Sequence, residues 1–384
     1  MSAAALVTDA EKGAVLAACR GLGEAGYRVA AAAAVRPAPA QWSRACRERI
    51  HVPDPGTDTP GFAVALAGFL RSHPYDVLLP GTEASLIAVS EHRDRLEPLV
   101  RLGLPSHQVI ERCLDKVALV EASAAAGLAP PQTFVCERTD DARQAARRLG
   151  YPVIAKPARS LLRGSGGRRH QNAVVAGDEA TLRRALPELG EPLVIQRYER
   201  AGPTLSCSGV VFAGRLWALC VAKYERTWPP LAGPSSFSET IEPPPGLQER
   251  VQGLLQRLGW EGIFQVQLID LGRGRLAALD LNPRIFGSLG LAVRAGANLP
   301  AVWCDLLLGR DPPFAAARKG VRYRWEEGDL RHLLWQLRRG RIGAAASIAR
   351  PSRNVAHAYF RLADPAPAAA GALQAVRRAI ARAR

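Results

Sequence analysis

The stretch Leu279-Asp280-Leu281-Asn282-Pro283-Arg284 decides the fold of this 384-residue chain. It follows a run of alternating apolar and polar residues at 264–270, and the Gly/Arg segment between the two is short enough for a tight turn. Two antiparallel strands paired in this way would bring Gln267, Asp280 and Asn282 together at one end of a sheet. Asp280 and Asn282 are two residues apart, so they project from the same face of their strand.

These three side chains offer the hard oxygen ligands that Mg²⁺ prefers, and that ion completes its octahedron with water and substrate phosphate. Arg284 follows two residues later, within reach of a phosphoryl oxygen. The pattern therefore predicts a metal-bound phosphate site. A strand that simply ends in a polar Asn-Pro turn is the alternative that this segment alone leaves open.

Composition and charge narrow the classes of function. The chain is long enough for two or three subdomains, and no apolar run is long enough to span a membrane. Its seven cysteines include no C-x-x-C pair, which predicts a reduced, cytoplasmic protein without structural zinc. The net charge is +16, but the arginines are spread along the chain without aromatic interleaving. We therefore expect no nucleic-acid partner and a basic cleft for small anionic substrates.

Residues 1–105 alternate strand and helix patterns, which predicts an open parallel sheet. Residues 21–26 match Gly-x-Gly-x-x-Gly, but they close a helix instead of opening one, so they indicate a helix cap and no dinucleotide site. A compact α+β unit follows at 106–195. Residues 196–318 hold a hairpin, a Pro/Gly/Ser-rich loop at 227–238 and the two ligand strands. Residues 319–384 are basic and helical in pattern.

Two further segments have the chemistry of a nucleotide site. Lys156 ends a buried strand and needs a partner there, because burying its charge alone is unfavourable. A loop with Gly164, Ser165, Gly166 and Gly167 follows, and its backbone N–H groups can surround phosphates, although a plain flexible loop fits the same letters. Residues 196–199 (Gln196, Arg197, Tyr198 and Glu199) end the next strand and could offer backbone groups to an adenine edge; a domain-crossing hinge is the alternative.

Taken in this order, the strand-end lysine, glycine loop, linker strand and paired-strand metal site resemble the ATP-grasp superfamily over roughly residues 3 to 310. The resemblance implies α/β and α+β structure in four parts. These are a Rossmann-like pre-domain (1–105), a small α+β lid (106–195), a larger antiparallel-sheet subdomain with the metal site (196–318) and a helical extension (319–384). It also implies that Lys116, after Asp115, and Lys156 contact ATP phosphates, that the glycine loop covers them, and that 196–199 hold the adenine.

The metal motif resembles that of the carbamoyl phosphate synthetase large subunit, which also has glutamine in the first strand and ends in Asn-Pro-Arg. The resemblance implies Gln267, Asp280 and Asn282 as ligands and Arg284 as the residue that stabilises a phosphorylated intermediate. The segment from Lys223 to Arg226, before a Pro-rich loop, resembles a group of carboxylate–amine ligases, which implies catalytic roles for both residues. Thr204 stands where the superfamily often has an acid that holds the ribose.

The function implied is an ATP-dependent ligase that converts a small-molecule carboxylate to an acyl phosphate and joins it to an amine, releasing ADP and phosphate. ATP and Mg²⁺ are the expected cofactors, with Mn²⁺ as an alternative metal, and a homodimer is in keeping with the superfamily. A small-molecule kinase on the same fold and a degenerate ATP-binding protein remain alternatives. Glu83 follows a pre-domain strand, where it could touch substrate, but an acid that interacts with a helix dipole is the preferred interpretation.

Overall fold

The computed structural model describes residues 2–128, 130–159, 161–164, 167–171, 173–199, 202–230, 233–349 and 353–383. The N-terminal unit is a four-stranded, all-parallel sheet in the order β3-β2-β1-β4. The short strand β1 is buried along its whole length, as expected for a parallel strand with helices on both faces. The elements are β1 (Ala4–Val7), α1 (Gly13–Glu24), β2 (Arg28–Ala33), a 3₁₀ helix (Pro39–Trp42), β3 (Cys46–His51), α2 (Thr59–Ser72), β4 (Val77–Leu79), α3 (Glu83–Glu91) and α4 (Arg93–Leu96).

The glycines at 21–26 behave as the sequence predicts. The first two lie inside α1, and Gly26, after its end, adopts a φ of +85°. The chain then turns into β2, so this Gly-x-Gly-x-x-Gly run closes a helix.

The lid unit packs two helices on one face of a four-stranded antiparallel sheet in the order β5-β10-β6-β9. A separate two-stranded hairpin, β7–β8, occupies the predicted glycine loop. The elements from the connecting helices onward are α5 (His107–Leu114), α6 (Lys116–Ala125), β5 (Thr133–Cys136), α7 (Thr139–Leu149), β6 (Val153–Pro157), β7 (Leu161–Gly164), β8 (Gly167–His170), β9 (Val174–Ala176), α8 (Glu179–Leu189) and β10 (Leu193–Arg197).

The large sheet has the order β15-β14-β11-β12-β13-β17-β18, and β16 pairs with β12. Most neighbours are antiparallel, but β16 and β18 pair in parallel. The remaining elements are β11 (Thr204–Phe212), β12 (Arg215–Thr227), β13 (Ser235–Thr240), α9 (Leu247–Leu258), β14 (Gly262–Asp270), β15 (Leu276–Asn282), α10 (Leu289–Ala295), α11 (Leu299–Leu307), β16 (Ala315–Ala316), β17 (Arg322–Arg324), α12 (Glu326–Leu337), α13 (Ile342–Ala349), β18 (Val355–His357) and α14 (Ala366–Ala383).

The large sheet has a different cover on each face. Leu205 and Leu268 lie on the face that packs against α9 and the connecting helices α5 and α6. Val210 and Ile263 lie on the other face, in the core that includes the residues after β15 and helix α11. Strand alternation assigns Ser206, Gln267 and Asp280 to this second face, beyond the end of its apolar core. We call it the ligand face.

Two sequence predictions need correction. The segment 319–384 is not only helical, because β17 and β18 extend the large sheet, and its Pro/Ala-rich stretch largely falls in α14, which packs on the 3₁₀ helix of the N-terminal unit. Asp364 anchors this return through Arg20, whose Nε donates at 2.9 Å. The predicted loop at 227–238 is also shorter, since β12 runs to Thr227 and β13 begins at Ser235.

Candidate active site

The two ligand strands pair as the sequence predicts. Gln267 lies directly opposite Asp280, and Gln265 lies opposite Asn282. All four side chains therefore belong to the ligand face. Next to the Gln267–Asp280 pair, β15 contains one residue more than β14. This extra residue, Leu279, forms a β-bulge. Bulges re-aim backbone groups near functional sites, and here the bulge frees a carbonyl oxygen next to Asp280.

Lys156 reaches this bulge from the lid. Its Nζ donates to the Leu279 carbonyl oxygen at 3.0 Å and to Gln196 Oε1 at 3.0 Å. Gln196 is fixed in turn by its amide nitrogen, which donates to Thr133 Oγ1 at 2.9 Å. Lys156 is 7% exposed, and burial lowers its pKa to about 8, with Asp280 opposing that shift and Lys116 adding to it. The ammonium group is thus held at the junction of lid and large sheet.

Lys116 enters the same site from the first turn of α6. Asp115 caps this helix through its side chain, which accepts the backbone N–H of Val117 at 2.7 Å. The Lys116 N–H donates to the carbonyl oxygen of Ala158 at 2.9 Å, which ties the start of α6 to the end of β6. These hydrogen bonds hold the start of α6 beside the end of β6. The two predicted lysines, Lys116 and Lys156, therefore lie near each other.

Arg284 follows the ligand strands and folds back on them. Its Nη2 donates to Asn282 Oδ1 at 3.0 Å and its Nη1 to the Ile285 carbonyl oxygen at 2.9 Å. Asn282 Nδ2 in turn points at Gln265 Oε1, 3.3 Å away. The amide oxygen of Asn282 still has a second lone pair, so the contact with Arg284 leaves it able to bind a cation.

The donor set suits Mg²⁺. No three His, Cys, Asp or Glu side chains among the described residues gather closely enough to hold a metal, so an all-carboxylate or histidine site is not formed there. Asp280 supplies a carboxylate, while Gln267 and Asn282 supply amide oxygens on the same face. A hard cation that keeps water and phosphate ligands fits a set with so few protein charges.

Glu83 lies near the charged residues of the ligand face. It begins α3 at the carboxyl end of β4 and is 8% exposed. Burial raises its pKa, while Arg284 and Lys116 lower it and Asp280 raises it further. The carboxyl group therefore shares the electrostatic environment of the ligand face, and contact with a substrate stays a prediction beside the helix-dipole interpretation. Its position after a pre-domain strand was the signal available in the sequence.

The Lys223–Arg226 segment does not enter the site as predicted. Lys223 pairs with Leu205, so it lies on the opposite face from Asp280, and its Nζ contacts Glu225 at 3.1 Å. Tyr224 is the residue of this strand on the ligand face. Burial raises its pKa, with a hydrogen bond to Ser206 opposing the shift and Asp280 adding to it.

Arg226 is held by an ion pair. Its Nε and Nη2 donate to the two carboxylate oxygens of Asp329 at 3.0 and 2.7 Å, and its side chain is 16% exposed. Arg324 binds the same carboxylate at 3.1 Å, and both guanidinium groups lie over the ring of Phe237. This bidentate contact engages much of the guanidinium and gives Arg226 a structural role, while its catalytic role stays a prediction.

The other residues predicted to bind the nucleotide belong to the glycine loop and to the segment 196–199. Gly164 and Gly167 pair with each other at the end of the β7–β8 hairpin, while Ser165 and Gly166 lie outside the described residues. Arg197 ends β10 and is exposed, and its N–H donates to the Gln132 carbonyl oxygen at 2.9 Å. Tyr198 and Glu199 follow, both half-buried. Binding of adenine by 196–199 stays a prediction.

This fold and site are those of the ATP-grasp superfamily, which the chain resembles both in a family model and in solved structures. Residues 231–329 match the family model described as ATP-grasp in the biosynthetic pathway with Ter operon. Within the part of the chain that the structure describes, no helix is long and apolar enough to cross a bilayer.

The chain is similar to three known proteins in particular. It is 26% identical over 253 residues to the carbamoyl phosphate synthase large chain of Rubrobacter xylanophilus, covering 62% of this chain but only 23% of that protein. Its fold matches the biotin carboxylase domain of the 2-oxoglutarate carboxylase of Hydrogenobacter thermophilus, solved with MgADP, ADP and bicarbonate (TM-score 0.63, 16% identity, 84% and 73% of the two chains). It also matches an L-amino acid ligase from Bacillus licheniformis (TM-score 0.59, 15% identity, 80% and 74% of the two chains).

Proposed function

We propose that this protein is an ATP-dependent ligase that activates a small-molecule carboxylate as an acyl phosphate and transfers the acyl group to an amine. The observation that carries the proposal is the contact of Lys156 with the bulge beside Asp280. It brings the strand-end lysine of the lid to the ligand face of the large sheet, where phosphates and a divalent cation would meet. The three related proteins support the ligase class, and both substrates are part of the proposal.

Lys116 and Lys156 would bind the phosphates of ATP. Phosphoryl transfer asks a protein mainly for positioning and for neutralisation of charge. Asp280, Gln267 and Asn282 would hold Mg²⁺, which supplies charge stabilisation to the transferred group when bound. Tyr224 and Ser206 would border the same face and orient polar groups of a substrate.

The reaction proposed has two steps. A carboxylate oxygen of the first substrate attacks the γ-phosphorus, the bridging P–O bond breaks, and ADP leaves. The amine nitrogen of the second substrate then attacks the acyl carbon, the C–O bond to phosphate breaks, and phosphate leaves with the electron pair. The displaced amine proton passes to solvent. Arg284 would stabilise the acyl phosphate, since its guanidinium already binds Asn282 on the ligand face.

The first experiment is titration of Mg-ATP into the wild type and Lys156→Ala by calorimetry, with and without Mg²⁺. Micromolar binding that Mg²⁺ strengthens and that the variant loses would support the nucleotide site. A panel of carboxylates and amines scored by phosphate release then separates the alternatives. Phosphate release that requires an amine indicates a ligase, a stable phosphorylated product indicates a kinase, and a folded protein that shows no turnover across the panel contradicts the proposal.

A further inference from the structure

The β7–β8 hairpin of the lid docks on the N-terminal unit. The backbone N–H of Arg168 donates to the carbonyl oxygen of Gly56 at 2.8 Å. Gly167 makes this approach feasible: it adopts a φ of +107°, and a Cβ there would lie 2.6 Å from the same oxygen. The glycine of the hairpin therefore serves a docking contact as well as the flexibility expected of a phosphate loop.

The side chain of Arg168 strengthens this contact. Its Nη1 donates to Thr59 Oγ1 at 3.2 Å and its Nη2 forms an ion pair with Glu91. The arginine side chain is 9% exposed and that of Glu91 23%, so the guanidinium end of this pair is sheltered from solvent while the acid lies at the surface. Glu91 is also the last residue of α3, where a helix dipole disfavours an acid, and the arginine offsets that cost.

Helix α3 links this contact to the site. Its first residue, Glu83, lies in the electrostatic environment of Arg284 and Asp280, and its last residue, Glu91, binds Arg168. A nine-residue helix is about 14 Å long at ~1.5 Å per residue. One helix thus begins near the charged groups of the ligand face and ends at the contact with the lid hairpin.

We propose that Arg168 is a positioning residue that latches the glycine hairpin to the N-terminal unit, so that the phosphates of ATP are enclosed by lid and pre-domain together. The effect on the reaction rests on the proposed function. The hairpin would exclude water from the acyl phosphate while it is closed, because water would otherwise hydrolyse that intermediate. The latch itself is a property of the protein without nucleotide.

The first test measures closure in the absence of nucleotide. Spin labels on Arg71→Cys in α2 and Arg183→Cys in the lid report the distance between the two units; both positions are exposed, and the seven native cysteines are buried. We expect a single narrow distance distribution that becomes broader and longer in Arg168→Ala. Arg148→Ala, which removes an exposed arginine from the lid, is the control. An unchanged distribution in Arg168→Ala would overturn the proposal.

The second test distinguishes a specific ion pair from a general disturbance of the hairpin. The charge exchange Arg168→Glu with Glu91→Arg should restore a closed distribution that either single change opens. A closed distribution that persists in both Arg168→Ala and Arg168→Glu would assign docking to the backbone contact with Gly56 and reject the side-chain latch.

The third test connects the latch to nucleotide. Displacement kinetics of Mg-ATP and Mg-ADP should show that Arg168→Ala releases ATP about tenfold faster, because an unlatched hairpin would open more readily over the bound nucleotide. ADP should change less, because it lacks the terminal phosphate under the hairpin. Equal acceleration of both would contradict the positioning role. If the wild type binds no Mg-ATP, the proposed function fails, while the distance measurement still decides the latch.

Discussion

The lowered pKa of Lys156 allows a quantitative test of how much a buried charge costs at this site. Burial lowers its pKa from 10.5 to about 8. A difference of about 2.5 units corresponds to about 3 kcal/mol at ~1.4 kcal/mol per unit, which is the penalty for carrying the ammonium in the folded protein at neutral pH. The substitution Lys156→Met keeps the length and apolar stem of the side chain and removes the charge.

The sign of the pH dependence follows from the direction of the shift. The folded pKa lies below the unfolded one, so between about pH 8 and 10.5 the unfolded chain binds more protons than the folded protein. The wild type should therefore gain about 2–3 kcal/mol of unfolding free energy relative to Lys156→Met between about pH 7 and 10. At neutral pH the variant escapes the charge penalty but leaves Gln196 Oε1 and the Leu279 carbonyl oxygen without this donor, at about 1–3 kcal/mol each. We expect these effects to cancel within about 2 kcal/mol there.

The assay is urea unfolding at half-unit steps of pH, in chelator and without nucleotide. Lys319→Met, which replaces an exposed lysine, serves as the matched control. A stability difference between wild type and Lys156→Met that stays flat from pH 7 to 10 would refute the reasoning, because it would show that the folded protein does not depress the pKa of this lysine. The same variant should lose up to about 100-fold in Mg-ATP affinity, the value of a hydrogen bond to a charged group.

Three further predictions address other charged residues. Asp280→Asn should abolish the strengthening of ATP binding by Mg²⁺ in calorimetry while changing the unfolding free energy by less than about 2 kcal/mol; a variant in which Mg²⁺ still strengthens binding would contradict the ligand assignment. Arg226→Met should lower the unfolding free energy by about 2–4 kcal/mol, because it breaks a buried ion pair, and should spare Mg-ATP binding; a stable variant without ATP binding would support the catalytic role. Glu83→Gln should gain stability over the wild type as pH rises above about 4.5, because burial raises the pKa of the wild-type carboxyl group and makes its ionisation unfavourable in the folded state; a difference in urea unfolding that is independent of pH would contradict this.

The sequence predicts the architecture well where the signal is local. The ATP-grasp fold, the parallel N-terminal sheet and the pairing of the ligand strands are confirmed. The sequence pattern does not predict the edge strand β3, because its residues, Cys-Arg-Glu-Arg-Ile-His, are largely charged and only partly buried. The three-residue strands β17 and β18 carry no period that a sequence pattern could reveal, since they exist only by pairing with an edge already formed.

Long-range contacts explain what the sequence left undecided in the site. Arg226 looked catalytic by its neighbours in the chain, but its partner Asp329 lies 103 residues away. Lys223 and Tyr224 are neighbours in β12 and therefore point to opposite faces of the sheet. A shift of one residue in the strand register would exchange which of the two faces Asp280. The roles proposed for the individual ligand, lysine and linker residues stay predictions for the experiments above.

The distribution of charge over three units explains why the site needs all of them. Lys116 and Lys156 come from the lid and its connection, Asp280 and Arg284 from the large sheet, and Glu83 from the N-terminal unit. Within this group the pKa of a lysine is lowered and that of a glutamate is raised, so burial disfavours both charged forms. An anionic nucleotide would stabilise the lysine and an amine substrate the glutamate. Separate units that carry unfavourably buried charges gain most from closing around a ligand of complementary charge, which gives closure by the Arg168 hairpin a physical reason.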